Sequence, residues 1–96
     1  MTVANAQRIV EKKFTILNLL GMHARAAAAF VKTSNRFQAE VLVSKDRQTV
    51  NGKSIMGVLM LAAAKGTQVV LRIEGEDADE AMQALAELIE NKFGEE

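Results

Sequence analysis

Three residues near the start of the chain, Gly21, His23 and Arg25, have types and spacing that suit the binding of an anion. His23 is the only histidine, and the alanine-rich segment after it favours a helix. The first turn of a helix has backbone N–H groups without partners, and its dipole favours a negative charge. Gly21 permits a close approach of the backbone, and the guanidinium of Arg25 matches phosphate oxygens. The segment therefore predicts an anion site that contains an imidazole.

The imidazole of His23 has more than one chemical use at such a site. A neutral ring nitrogen can attack a phosphoryl group and carry it as a phosphoramidate, while helix amides and Arg25 stabilise the phosphoryl oxygens. General acid–base catalysis would require a carboxylate or another polar group beside the ring. The neighbouring sequence offers none, although the fold could bring one in. A histidine that only caps the helix is the third interpretation.

Ser54 precedes a short apolar segment and is predicted to cap a helix. A phosphate on Ser54 would add a charge of about −1.5 to −2 beside Ile55 and Met56, which would repel an acidic partner docked there. We expect at least half of the apolar side chains in this segment to lie in the core. The others should be exposed, because a helix that is apolar all round cannot turn every face inward. The side chains in question are Ile55, Met56, Leu59 and Met60.

The composition excludes several classes of protein. The chain has 96 residues, of which 49% are apolar, and predicts one globular domain over residues 9–96 after a flexible tail over residues 1–8. Its 12 basic and 12 acidic residues balance, which argues against a nucleic-acid partner. One histidine and no cysteine argue against a metal site and exclude disulfides. There is no membrane-spanning segment and no signal-peptide core in residues 1–7, so we expect a cytoplasmic protein without membrane insertion.

The hydrophobic pattern predicts seven elements in the order β-α-β-β-α-β-α. A split βαβ arrangement places all helices on one face of an antiparallel sheet. We therefore expect the α+β class, with a four-stranded antiparallel sheet and three helices on one face. The strands are predicted over residues 9–17, 39–45, 48–50 and 67–75, and the helices over residues 24–35, 54–65 and 77–93, the last beginning with a capping box of Asp77 and Glu80. The residues expected to face the core are Val10, Phe14, Ile16, Ala27, Phe30, Val31, Ser34, Ala39, Val41, Val43, Val69, Leu71, Ile73, Ala81, Met82, Leu85, Leu88, Ile89 and Phe93.

Two segments in register resemble one known family. The segment "GMHARAAA" (21–28) resembles the active-site motif of the HPr family, the histidine phosphocarriers of the phosphoenolpyruvate-dependent phosphotransferase system. The segment "GKSIMGVLMLAAAKG" (52–66) resembles the second signature of that family, which surrounds a regulatory serine. The similarity runs from about Val10 to Phe93. The family fold is an open-faced β-sandwich with the element order predicted above.

The resemblance implies a phosphocarrier and not an enzyme. His23 would accept a phosphoryl group at Nδ1 from phospho-Enzyme I and pass it to IIA proteins or domains. Arg25 would contact that group, and the backbone amides of Ala24 and Arg25 would help to hold it. Ser54 would be modified by an HPr kinase/phosphorylase in organisms that have one, beside a docking patch of Ile55 and Met56. We expect a monomer that needs no cofactor.

Two positions depart from the family pattern. Ala26 stands where the family usually has proline, which would pre-set the first helical turn. Leu20 stands where many members have a polar residue that helps to brace the histidine. The segment "NLLGMHAR" resembles the nitrogen-branch relatives. The other features of the sequence do not separate the branches, so the sugar and nitrogen branches both stay open.

Two other functions stay open from the sequence. An RNA-recognition domain has a similar element order but needs exposed aromatic side chains and basic charge, whereas this chain has four phenylalanines, no tyrosine or tryptophan, and zero net charge. A regulatory protein-interaction module of the same fold, without phosphotransfer, is the other alternative.

Overall fold

The computed structural model describes residues 8–95, which form one antiparallel sheet with helices packed on one face. The strand order across the sheet is β1-β4-β2-β3, and every pairing is antiparallel. The predicted α+β class and element order are confirmed. The strands are β1 (Ile9–Thr15), β2 (Glu40–Lys45), β3 (Gln48–Asn51) and β4 (Gln68–Glu74), and the helices are α1 (Ala24–Ser34), α2 (Ile55–Met60) and α3 (Ala78–Glu90), followed by a 3-10 turn over Lys92–Gly94.

Strand β4 lies between β1 and β2 and shows why the sheet has two different faces. Val69, Leu71 and Ile73 are buried under the helices, whereas Gln68 and Arg72 are exposed on the opposite face. Successive side chains of a strand point to opposite faces, so this alternation is what a sheet covered on one side requires.

The predicted core is confirmed, since every residue expected to face it is buried or partly buried. The buried face of helix α1 combines the small Ala26 and Ala27 with the large Phe30. The four phenylalanines all pack in or against the core. Within residues 8–95 the open sheet face therefore has no aromatic side chain on which the bases of an RNA could stack.

Helix α2 ends at Met60, earlier than the predicted end at residue 65. Ala62 has a φ of 49°, in the left-handed region, and a helix cannot continue through that conformation. The carbonyl of the next residue, Ala63, instead accepts a hydrogen bond from the N–H of Met22 at 2.8 Å. Alanines favour a helix locally, but this tertiary hydrogen bond ties the segment to the loop before α1.

Helix α3 differs from the prediction at both ends. Asp77 makes no side-chain cap; its two carboxylate oxygens accept hydrogen bonds from the N–H groups of Gln38 and Ala39, each at 2.9 Å. The predicted capping box is therefore wrong, because Asp77 joins α3 to the segment leading into β2. At the other end, the left-handed φ of 55° at Lys92 and 56° at Phe93 stops the helix and turns the chain back.

The predicted tail over residues 1–8 lies outside the described residues apart from Arg8. The guanidinium of Arg8 pairs with the carboxylate of Asp79 at 2.9 Å. In the described part of the chain no helix has the length and apolar character needed to cross a bilayer. Residues 8–95 also contain no group of three or more histidine, aspartate or glutamate side chains placed to hold a metal ion.

Candidate functional site

His23 lies at the N-cap of α1 with an extended backbone (φ −78°, ψ −180°). Its carbonyl accepts the N–H of Ala27 at 2.8 Å, which starts the helix, and its side chain makes no capping bond. Among residues 8–95, nothing accepts a hydrogen bond from the N–H groups of Ala24, Arg25 and Ala26. The imidazole is 23% exposed and stands beside three unpartnered donors, as an anion site at a helix start requires.

The loop before His23 is held in place by a close approach of two backbone segments. Gly21 has a φ of 66°, and a Cβ atom there would lie 2.5 Å from the carbonyl oxygen of Ala63 and 2.9 Å from the Cα of Ala64. Only glycine fits this position, for both its conformation and its space. The neighbouring Met22 is buried and donates its N–H to the same Ala63 carbonyl. The early end of α2 therefore fixes where α1 begins.

Asn18 is a functional candidate that the sequence analysis missed. Its side chain is fully buried, and Nδ2 donates to the carbonyl of Gly21 at 2.7 Å. Leu20, which stands where many members of the family that the sequence resembles have a polar residue, is 66% exposed. Asn18 thus supplies a polar brace two residues earlier in the chain. The available signal was an asparagine within the otherwise apolar segment "ILNLLG" (16–21).

Glu95 is the second residue that the sequence analysis missed, and it is the carboxylate that the fold brings to the ring. Its Oε2 lies 2.5 Å from Nε2 of His23, and its Oε1 accepts from Nδ2 of Asn18 at 3.1 Å. The hydrogen bond from His23, followed by that from Asn18, lowers the pKa of the Glu95 carboxyl. No local pattern could reveal this contact, because 72 residues separate Glu95 from His23.

Arg25 is exposed in the first turn of α1, and its side chain makes no hydrogen bond or ion pair within the described chain. It lines a shallow surface cavity together with Leu19, Leu20 and Glu95. A guanidinium in this position can bind an anion without breaking an existing contact.

Ala26, in the same turn, is 1% exposed, and its N–H lacks an acceptor among the described residues. The hydrogen bonding at this position is therefore compatible with the proline that the family usually has there.

Ser54 is the N-cap of α2, as predicted, because its Oγ accepts the N–H of Gly57 at 3.1 Å. The expectation that at least half of the neighbouring apolar side chains lie in the core is wrong. Ile55, Met56 and Met60 are 41%, 66% and 64% exposed, and only Leu59 is partly buried. The six residues of α2 anchor the helix mainly through the fully buried Val58, so its other faces meet solvent.

Comparison with known proteins places this chain in one family. A family model described as the phosphorylation site of the HPr component of the phosphotransferase system matches residues 10–91. Phosphocarrier protein HPr from Xylella fastidiosa is 50% identical over 88 residues, which cover 92% of this chain and 99% of that protein. The crystal structure of HPr from Thermoanaerobacter tengcongensis has a TM-score of 0.88 and 48% identity, covering 91% of this chain and 98% of that one. A crystal structure of an HPr dimer from the same organism has a TM-score of 0.73 and 49% identity, covering 85% of this chain and 94% of that one.

The family match includes both segments that predicted it, residues 21–28 and 52–66. Members of this family carry a phosphoryl group as a phosphohistidine and pass it on, so they are phosphocarriers and not enzymes. The chain therefore belongs to the HPr family of phosphocarrier proteins of the phosphoenolpyruvate-dependent phosphotransferase system.

Proposed function

We propose that His23 is the residue on which this chain carries the phosphoryl group. The observation that carries the proposal is the position of the only histidine of the chain at the start of α1, beside three amides without acceptors. Nδ1 attacks the phosphorus atom, and the N–P bond to His23 forms as the bond from phosphorus to the donor breaks. Transfer to the next acceptor reverses these roles.

The charge of the phosphoryl group is stabilised by groups of the first turn. The N–H groups of Ala24 and Arg25 donate to phosphoryl oxygens, and the guanidinium of Arg25 adds a positive charge. These amides belong to a helix that is already formed, so binding the phosphoryl group requires little rearrangement.

Enzyme I is the proposed donor, and IIA proteins or domains are the proposed acceptors. Support comes from the exposed apolar side chains around the site, since such surfaces on small proteins mark interaction sites. Leu19 and Leu20 belong to the loop that contacts Ala63 just beyond α2, and Ile55 and Met56 lie exposed on that helix. Partners docked on this surface would reach His23 directly.

Ser54 is the proposed site of regulation by an HPr kinase/phosphorylase. Its side chain is partly exposed beside Ile55 and Met56, and its Oγ already acts as an acceptor for an N–H of α2. A phosphate at this position would be tolerated by the helix start, while it would place negative charge on the docking surface.

We further propose a cytoplasmic monomer whose single domain covers residues 9–96. Sedimentation at several protein concentrations tests the monomer, for which the dimer crystallised from a relative is the natural contrast. The regulatory module without phosphotransfer remains the second candidate, and it predicts no labelling in the following experiment.

Incubation with Enzyme I and phosphoenolpyruvate, followed by intact-mass measurement, tests the proposed function. We expect one acid-labile phosphoryl group on the wild-type chain and none on His23→Ala, whose circular dichroism should be unchanged because the ring supports little of the core. Enzyme I of the sugar branch and its nitrogen-branch counterpart are offered separately, which assigns the branch. Labelling of His23→Ala, or no labelling of the wild-type chain by either of these donors, would contradict the proposal.

A further inference from the structure

The C-terminal turn brings a carboxylate to the phosphoacceptor. Lys92, Phe93 and Gly94 have successive φ values of 55°, 56° and 78°, which reverse the chain after α3. The N–H of Glu95 donates to the carbonyl of Lys92 at 2.9 Å and closes the turn. Phe93 packs against the core and anchors the turn. Glu95 thereby reaches Nε2 of His23, with a distance of 2.5 Å to its Oε2.

Asn18 holds the other oxygen of the same carboxylate. Its Nδ2 donates both to Oε1 of Glu95 at 3.1 Å and to the carbonyl of Gly21 at 2.7 Å. The Asn18 side chain is fully buried, and its Oδ1 accepts no hydrogen bond from residues 8–95. One buried amide therefore fixes both the loop before His23 and the carboxylate beside its ring.

We propose that Glu95, oriented by Asn18, is a positioning residue that holds Nε2 of His23 and leaves Nδ1 to attack phosphorus. An ionised carboxylate can only accept hydrogen bonds, so the hydrogen between Oε2 and Nε2 belongs to the ring. A neutral imidazole has a single N–H, and its other nitrogen, Nδ1, then has the lone pair. The proposal rests on the phosphocarrier function proposed for His23.

The same contact acts after the transfer. Attack by Nδ1 forms the N–P bond while the donor keeps the electron pair of the bond that breaks, so the ring gains positive charge and no proton has to leave. Nε2 retains its hydrogen throughout, and the carboxylate of Glu95 faces the positive ring. Glu95 thus selects the tautomer before the reaction and stabilises the phosphorylated ring after it.

Glu95→Ala and Glu95→Gln separate the two contributions in the full-length chain. The glutamine keeps an oxygen that accepts the Nε2 hydrogen but loses the charge, whereas the alanine loses both. Nitrogen-15 NMR of the labelled imidazole, at a pH where the ring is neutral, should show one dominant Nε2–H tautomer in the wild-type chain. We expect a mixture of tautomers in Glu95→Ala and an intermediate population in Glu95→Gln.

The rate of phosphorylation by Enzyme I and phosphoenolpyruvate is the second readout. Since the contact is partly exposed, we expect kcat for Glu95→Ala to fall by about two- to fivefold, with little change in KM. Glu90→Ala is the matched control, because it removes one exposed acidic side chain near the same end of the chain without contacting His23.

Equal tautomer populations and equal kcat in Glu95→Ala and Glu90→Ala would overturn the positioning role. A change in KM alone would also overturn it, since that result would assign Glu95 to docking. If the wild-type chain is not phosphorylated at all, the proposed function fails, while the NMR comparison still decides whether Glu95 selects the tautomer.

Discussion

At the scale of a single residue, Arg25 is expected to stabilise the charge of the phosphoryl group, whereas His23 forms the bond to phosphorus. Its guanidinium is exposed and has no partner within residues 8–95, so Arg25→Ala should leave the unfolding transition unchanged. We expect phosphorylation of His23 to slow by about 10- to 100-fold, which corresponds to the loss of a charged hydrogen bond. The rate of phosphorylation, followed by intact mass with Enzyme I and phosphoenolpyruvate, measures the effect.

Arg25→Lys is the matched variant for this prediction. Lysine keeps the positive charge but lacks the planar fork that binds two oxygens, so its rate should lie between those of the wild-type chain and Arg25→Ala. A rate for Arg25→Ala within twofold of the wild-type rate would show that the phosphoryl group lies away from this guanidinium. Complete loss of phosphorylation in a folded variant would mean that Arg25 does more than stabilise charge.

Gly21 tests the close approach that sets the position of His23. We expect Gly21→Ala to lower the free energy of unfolding by at least about 2 kcal/mol, because its φ of 66° is unfavourable and the new Cβ meets the Ala63 carbonyl. Gly66→Ala is the control, since Gly66 has a φ of 90° but no atom within 4 Å of a Cβ. This variant should lose only about 1 to 2 kcal/mol, the cost of the conformation alone. Urea unfolding measures both, and equal losses would show that the loop moves away without cost.

Single residues also show how far sequence reasoning reaches. His23 and Arg25 could be selected from residue type, spacing and helix propensity, because their chemistry depends on local structure. The contacts of Glu95 with Asn18 and His23 join distant parts of the chain, and a local pattern cannot show such contacts. The unexpected polar residue in an apolar segment was a usable signal for Asn18, whereas Glu95 had none.

At the scale of elements, α2 combines a cap with a proposed regulatory site. Asp at position 54 can accept the N–H of Gly57 as the serine does, and its charge is favourable at a helix start. Ser54→Asp should therefore fold normally. It should bind Enzyme I more weakly than the wild-type chain does, because it adds negative charge beside Ile55 and Met56.

Calorimetry at low and high salt distinguishes an effect of charge on that binding from an effect that does not depend on charge. A charge effect should shrink in 1 M salt, where the screening length is about 3 Å. Ser54→Ala is the control without added charge, and it should lose about 1 kcal/mol of stability by losing the cap while binding Enzyme I normally. Equal binding of Ser54→Asp and the wild-type chain would leave Ser54 with a capping role only.

The boundaries of the helices and strands show which interactions can be predicted from a sequence pattern. The four strands and α1 were predictable, because alternation and helix propensity act within each segment. The ends of α2 and α3 were not, since Ala62, Lys92 and Phe93 adopt left-handed conformations that tertiary contacts stabilise. The predicted cap at Asp77 was also wrong because of a tertiary contact. Its carboxylate accepts hydrogen bonds from the N–H groups of Gln38 and Ala39, in the segment that leads into β2.

For the whole molecule, the two lowered carboxyl pKa values predict how stability depends on pH. Hydrogen bonds from the backbone N–H groups of Gln38 and then Ala39 lower the pKa of Asp77, and the bonds from His23 and Asn18 lower that of Glu95. A carboxyl group whose pKa is lower in the folded than in the unfolded state stabilises the fold above the unfolded pKa. That contribution is lost as the pH falls through the folded pKa, so the free energy of unfolding should fall between about pH 5 and about pH 2.

Asp77→Asn isolates the structural part of this dependence, because Asp77 lies outside the site around His23. The asparagine keeps one oxygen for the N–H groups of Gln38 and Ala39 but cannot ionise. We expect Asp77→Asn to be less stable than the wild-type chain at neutral pH, and the difference in the free energy of unfolding should narrow at about pH 3.

Glu90→Gln is the control for this prediction. The carboxylate of Glu90 makes no hydrogen bond in the described chain, so this variant should follow the wild-type pH dependence. Phosphorylation of His23 should proceed at the wild-type rate in both variants. A stability difference that is the same at both pH values would assign the loss to hydrogen-bond geometry instead of ionisation, and would remove Asp77 from the account of acid unfolding.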